Sequence, residues 1–149
     1  MTNWIKIIPE DLYDYLVAQQ VDALRKQALA KHQIDPIMEI IKDVSSRIRS
    51  EIKSNRQNVL SATAGAIPLE LKSAACSLIL EIAQTRIPGL KLSEDQIRLA
   101  DQARESLRRV AKGEVAISVP DEAKDYQPVG VEVVTHRENT VTGETLGGF

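Results

Sequence analysis

Four basic residues share one side of a predicted helix and are the strongest candidates for chemistry in this sequence. They are Lys42, Arg49, Lys53 and Arg56. Their spacing of seven, four and three residues places them on one helical face. Only Lys42 has an acidic residue, Glu39, three or four positions away. Such a stripe of basic residues can meet phosphate groups, the acidic tail of a neighbouring chain, or water alone.

The other reactive side chains do not form a constellation. The two histidines, His32 and His136, have no Cys, His or Asp cluster at ligand spacing, so we expect no metal site. Cys76 lies in an apolar helix without an adjacent base, which predicts a buried structural thiol. There is no glycine-rich phosphate loop, because Gly147 and Gly148 cannot open a helix. We therefore predict no active site, no cofactor and no enzyme.

The composition predicts one helical domain rather than two. The chain has 149 residues, 43% of them hydrophobic but only 3% aromatic, so Ile, Leu, Val and Ala must build the core. No apolar run approaches the roughly 20 residues of a membrane span, and no membrane contact is expected. One cysteine excludes an internal disulfide. The N-terminal residues lack a secretory pattern, so we expect synthesis in the cytosol.

Charge is divided unevenly along the chain. Residues 1–112 hold 17 basic and 14 acidic residues, whereas residues 113–149 hold two basic and seven acidic ones. An acidic tail of this kind is either solvated or docked on another surface.

Hydrophobic periodicity and capping residues predict most of the helices. Pro9 begins a short helix, and a second run follows over residues 21–32. The pair Asp35-Pro36 starts a helix of about five turns that ends near residues 54–55. Its apolar face contains Ile37, Ile40, Ile41, Val44, Ile48 and Ile52.

Two further helices form a hairpin. Pro68 is predicted to start a helix that is apolar over a wide arc and is therefore central in the core. Ser93 and Gln96 form a capping box that starts the last helix, and Gly113 ends it. The sequence thus predicts a mainly α fold. Residues 1–113 form a bundle of four to five helices, followed by an extended, partly β tail over residues 114–149.

The tail carries short runs in which valine or isoleucine alternates with smaller or polar residues, a pattern that favours strands. An isolated hairpin is marginal in water, so we expect these strands to order on a partner's sheet edge or groove. The predicted partner-docking residues are Val115, Ile117, Val119, Val129, Val131, Val133 and Phe149. Truncation at Gly113 is expected to leave a folded body that no longer assembles.

Four short motifs follow one another along residues 8–118. They are Pro9-Glu10-Asp11-Leu12, Ile67-Pro68-x-x-Leu71-Lys72-x-x-Ala75, Ile82-Ala83-x-x-Arg86 and Ala103-x-x-x-Leu107-x-x-Val110-Ala111-Lys112-Gly113-Glu114-Val115. In this order the chain resembles a family of proteins of Mu-like phages and prophages, and more broadly the head–tail connector (head-completion) proteins.

The resemblance implies a mostly helical adaptor subunit that forms a ring, typically of twelve copies, at the virion head–tail junction. Its partners would be the portal protein above, a downstream tail or stopper protein below, and DNA passing through without sequence specificity. Two alternatives remain open from the residues alone. One is a small helical nucleic-acid-binding regulator that uses the four basic residues, and the other is a tail-assembly chaperone.

Overall fold

The computed structural model describes residues 3–29 and 36–123, and within them the fold is mainly α, as the sequence predicts. The helices are α1 (Pro9–Tyr13), α2 (Ala18–Leu29), α3 (Pro36–Ser54), α4 (Lys72–Arg86) and α5 (Glu94–Ala111). The strands are β1 (Trp4–Ile5) and β2 (Ile67–Pro68). Short 3-10 turns lie at Leu69–Leu71 and Asp121–Ala123. None of the described helices is long and apolar enough to cross a membrane.

Helices α3, α4 and α5 contact one another and form the core. Helix α4 is buried over a wide arc that includes Cys76 and Leu80, which confirms its predicted central position. Helix α5 buries only a narrow stripe and carries charged residues elsewhere, so it closes the core from outside. The buried residues of α5 are Ala100, Ala103, Leu107 and Val110.

The ends of α5 follow the predicted caps. The Ser93 hydroxyl accepts a hydrogen bond from Gln96 N at 3.2 Å, and the side-chain oxygen Oε1 of Gln96 accepts one from Ser93 N at 2.8 Å. Gly113 adopts a φ of 80°, a left-handed conformation that suits glycine. Both signals are local, and both predictions are confirmed.

Two other helix boundaries differ from the prediction. Helix α1 ends at Tyr13, and α2 begins at Ala18, three residues before the predicted start. Pro68 does not start α4: its backbone is extended (φ −59°, ψ 140°) because it belongs to β2. The chain then makes one 3-10 turn, and α4 begins at Lys72.

The strands β1 and β2 form a small antiparallel ribbon that the sequence analysis does not predict. Trp4 pairs with Pro68 and Ile5 with Ile67. Leu69 N extends the pairing by donating to Asn3 O at 2.9 Å. The ribbon fixes the chain before α1 against the entrance to α4, where Trp4 and Ile67 are buried.

Residues 114–123 correct the predicted strands at Val115, Ile117 and Val119. No strand forms in this described part of the tail, which runs as extended coil into the turn at Asp121–Ala123. The backbone finds side-chain partners instead of a sheet: Trp4 Nε1 donates to Ser118 O at 2.9 Å and Asn3 Nδ2 to Val119 O at 2.6 Å. Within this segment Ile117 and Pro120 pack on the chain's own body, whereas Val115 and Val119 stay exposed.

The boundary after Gly113 remains a prediction, but packing continues past it. Ile117 packs against the core, Pro120 is fully buried, and Ser118 N donates to Glu70 Oε1 at 2.6 Å. A chain cut at Gly113 would lose all three contacts.

Candidate functional site

The structure separates the four predicted basic residues. Lys42, Arg49 and Lys53 lie on α3, whereas Arg56 follows the end of that helix and is exposed. Lys42 and Lys53 are also exposed, but Arg49 is only partly so. The four therefore do not form one equivalent stripe.

Arg49 is bound to the protein itself, a contact that the sequence analysis does not predict. Its Nη1 donates to Ala66 O at 2.7 Å and to Thr63 O at 3.3 Å, and its Nη2 donates to Ser61 O at 2.8 Å. The planar guanidinium has several fixed donors, which suits a loop whose carbonyls converge. Arg49 thus holds the loop of residues 61–66 against α3.

A groove remains open between α3 and this loop. Two adjoining cavities of about 400 Å³ and 310 Å³ share Ser46, Ala64 and Gly65, so they form one continuous surface. We call it the basic groove, because three lysines line it. Its defining residues are Lys6, Lys42, Ser46, Lys53, Ala64 and Gly65.

The basic groove joins positive charge to an apolar floor. Ile41 and Leu60 contribute apolar lining, while no carboxylate lines either cavity in the described part of the chain. Among the described ion pairs, none involves Lys42 or Lys53. An extended anionic chain with some apolar side chains is the ligand that this combination suits.

A second polar cluster lies where α1 meets α4. Asp11 and Lys72 form an ion pair at 2.9 Å. Burial opposes the charge on Asp11, but hydrogen bonds from Ile8 N–H and Lys72 outweigh it and lower the pKa of Asp11. Burial, aided by the negative charge of Asp11, raises the pKa of Cys76 to about 12. The thiol is fully buried and stays protonated at neutral pH, which confirms the structural role predicted for it.

A pair of glutamines joins α2 to the start of α5. Gln20 Nε2 donates to Gln96 Oε1 at 2.9 Å, and Gln96 Nε2 donates back to Gln20 Oε1 at 3.0 Å. Each also reaches a backbone carbonyl: Gln20 that of Lys91 at 2.6 Å, and Gln96 that of Tyr15 at 3.0 Å. The sequence analysis missed this pair, because a glutamine inside a helix carries no signal of a distant partner.

The predicted docking residues of the tail are only partly described. Val115 and Val119 are exposed, and Ile117 is partly buried against the core. The others, Val129, Val131, Val133 and Phe149, lie outside the described residues, as do His32 and His136. Within residues 3–29 and 36–123, no group of three His, Cys, Asp or Glu side chains could hold a metal ion.

The basic groove offers a surface for binding. The Asp11–Lys72 ion pair and the Gln20–Gln96 pair instead connect parts of the same chain. Comparison with known proteins adds no family to this description. No protein-family model matches the chain, and neither a curated protein nor a solved structure matches it.

Proposed function

We propose that this chain is a structural adaptor of a phage head–tail junction. Copies of it assemble into a ring, of twelve members by the resemblance, beneath the portal protein. The ring joins the DNA-filled head to the next tail or stopper protein, and DNA passes through it without being read for sequence.

The observation that carries the proposal is the way the four motifs of the resemblance meet in one interior. Leu12, Ile67, Ala83 and Leu107 come one from each motif, and all four are buried in the same core. The Asp11–Lys72 ion pair also joins the first motif to the second. Motifs that lie far apart in sequence but pack together are typical of residues that define a fold.

The distribution of exposed apolar side chains supports a ring. In a ring each copy presents two different surfaces, because the contact between neighbours is head to tail. Exposed apolar residues lie on α3 (Met38), on α5 (Leu99), and beside the ribbon (Leu69 and Val119). These positions lie on several elements of the body, as two separate contact surfaces require.

The commitment of Arg49 to its own loop weighs against the nucleic-acid-binding regulator. That alternative needs basic side chains free to meet phosphates, and one of its four is occupied by three backbone carbonyls. No described feature favours the chaperone over the adaptor, because the two differ in their partner.

Light scattering tests the proposal directly. We would measure the mass of the full chain alone and after mixing with a portal protein of the same phage or prophage. A ring alone, or a defined complex that forms with the portal, is the expected result. A monomer or dimer that ignores the portal would contradict the adaptor function, and an unrelated dodecameric ring protein would serve as the control for nonspecific association.

A further inference from the structure

The described chain ends beside the basic groove. Glu122 Oε1 accepts a hydrogen bond from Ala62 N at 3.0 Å and another from the Ser61 hydroxyl. These hydrogen bonds, led by that from Ser61, lower the pKa of Glu122, so its carboxylate is charged at neutral pH. The loop that holds Glu122 continues directly into Ala64 and Gly65, which line both cavities of the groove.

The residues that follow Ala123 include carboxylates, which are absent from the described lining of the groove. Residues 125–136 contain no lysine or arginine, and they include the acidic residues Asp125 and Glu132. In an extended conformation Val129, Val131 and Val133 lie on one side of the segment, because strand side chains alternate. In this conformation the valines match the apolar floor, and Glu132, on the opposite side of the segment, lies toward the exposed rim of lysines.

The length of the chain also suffices. Five residues separate Ala123 from Val129, so the six steps of an extended chain, at about 3.3 Å each, cover about 20 Å. A tethered segment of this reach has an effective concentration in the millimolar range, which favours it over the same segment of another molecule.

We propose that the basic groove is a binding site for an extended acidic peptide, and that in the free protein residues 125–133 of the same chain occupy it. The inference needs a single chain and does not rest on the proposed adaptor function. Any anionic partner of the groove must then displace this segment, so the tail and the partner compete for Lys42 and Lys53.

Disulfide trapping in the full chain tests the proposal. Ala64→Cys and Val131→Cys are combined in one variant, while Ala64→Cys with Thr145→Cys is the matched control in the same tail. Native Cys76 stays in place because it is fully buried. Position 131 lies on a shorter tether than position 145, which alone makes its disulfide form about fivefold faster, so each trapping rate is corrected for tether length. After this correction we expect the first variant to form an intramolecular disulfide about tenfold faster than the control, as a docked segment should relative to a freely searching one.

Charge reversal provides a second measurement. Lys42→Glu and Lys53→Glu change exposed side chains, so the fold should be preserved and can be checked by circular dichroism. Together they should bring the corrected trapping rate of the first variant down to that of the control. Adding Glu132→Lys to the double reversal should recover part of the difference.

Three outcomes would overturn the proposal. Equal corrected trapping rates at positions 131 and 145 would mean that the segment does not bind in the groove. Disulfide-linked dimers, both in the double variant and in a mixture of the two single variants, would assign the groove to a neighbour's tail. A rate unaffected by charge reversal would rule out recognition by the lysines. None of these outcomes depends on the portal, so the adaptor function would be judged separately.

Discussion

At the scale of single residues, Arg49 changes what the basic face of α3 can do. Its three hydrogen bonds to backbone carbonyls hold the loop of residues 61–66 against α3. Removing it would leave those carbonyls without their partner, and the loop forms one wall of the basic groove. An effect of Arg49 substitutions on binding would therefore act through the shape of the groove.

Arg49→Ala should lower the free energy of unfolding by about 2 kcal/mol, since hydrogen bonds to charged groups contribute about 1.5–3 kcal/mol. Urea denaturation would measure the change. Arg56→Ala is the matched control, because Arg56 is exposed beyond the end of α3. It should change stability by less than about 0.5 kcal/mol. Equal effects of the two substitutions would contradict the fastening role.

At the scale of secondary-structure elements, the sequence predicted helices and their ends correctly where the signal lay in neighbouring residues. The isoleucine spacing of α3, the capping box of α5 and the stop at Gly113 each depend on residues within a few positions of one another. The β1–β2 ribbon could not be predicted in this way, because its two strands are only two residues long and lie far apart in the sequence. Pro68 consequently enters a strand although its local sequence favours a helix start.

The site was predictable only in its composition. The sequence identified Lys42 and Lys53 as exposed basic residues, but the groove beside them depends on where the loop of residues 61–66 folds back. That placement depends on carbonyl groups, which every residue has and which therefore leave no pattern in the sequence. The Gln20–Gln96 pair was missed for a related reason. An amide side chain both donates and accepts hydrogen bonds, so its residue type does not indicate its partner.

Helix α4 gives a prediction about alkaline pH. The folded pKa of Cys76 is about 12, above its ordinary value of 9.0, so the folded state binds this proton more tightly than the unfolded state. Its contribution to stability is present below pH 9.0 and is lost as the pH rises toward 12. Each pH unit in that range should lower the free energy of unfolding by about 1.4 kcal/mol.

Cys76→Ala removes this titration. Unfolding by urea between about pH 8 and pH 11 should give a shallower loss of stability in the variant than in the native chain. Curves that stay parallel throughout this range would show that the thiolate forms without cost in the folded state.

At the scale of the whole molecule, packing on the body continues past α5 at least to the turn at Asp121–Ala123. The segment after Gly113 returns to the first strand, buries Pro120 and fills the hydrogen-bonding capacity of the Trp4 indole. The first and the last residues that the structure describes therefore meet on one side of the body.

Two truncations should separate folding from assembly. A chain ending at Ala123 should unfold at nearly the same urea concentration as the full protein. One ending at Gly113 should lose about 6 kcal/mol, because it lacks six hydrogen bonds to the body and the burial of Pro120. Equal stability of the two truncated chains would contradict this account. Light scattering on the longer one tests the tail alone: it should stay folded but fail to form the ring.

The contact of Asn3 and Trp4 with residues 118–121 has a mechanical consequence. A pull on the tail would be carried into the first strand through Asn3 N to Asp121 Oδ2, and through the Trp4 indole to Ser118 O. Through β1 the load continues to β2, because Trp4 pairs with Pro68 and Ile5 with Ile67. Tension would thus be spread across the ribbon before it could unwind the last turn of α5, and the three-helix core would be shielded from it.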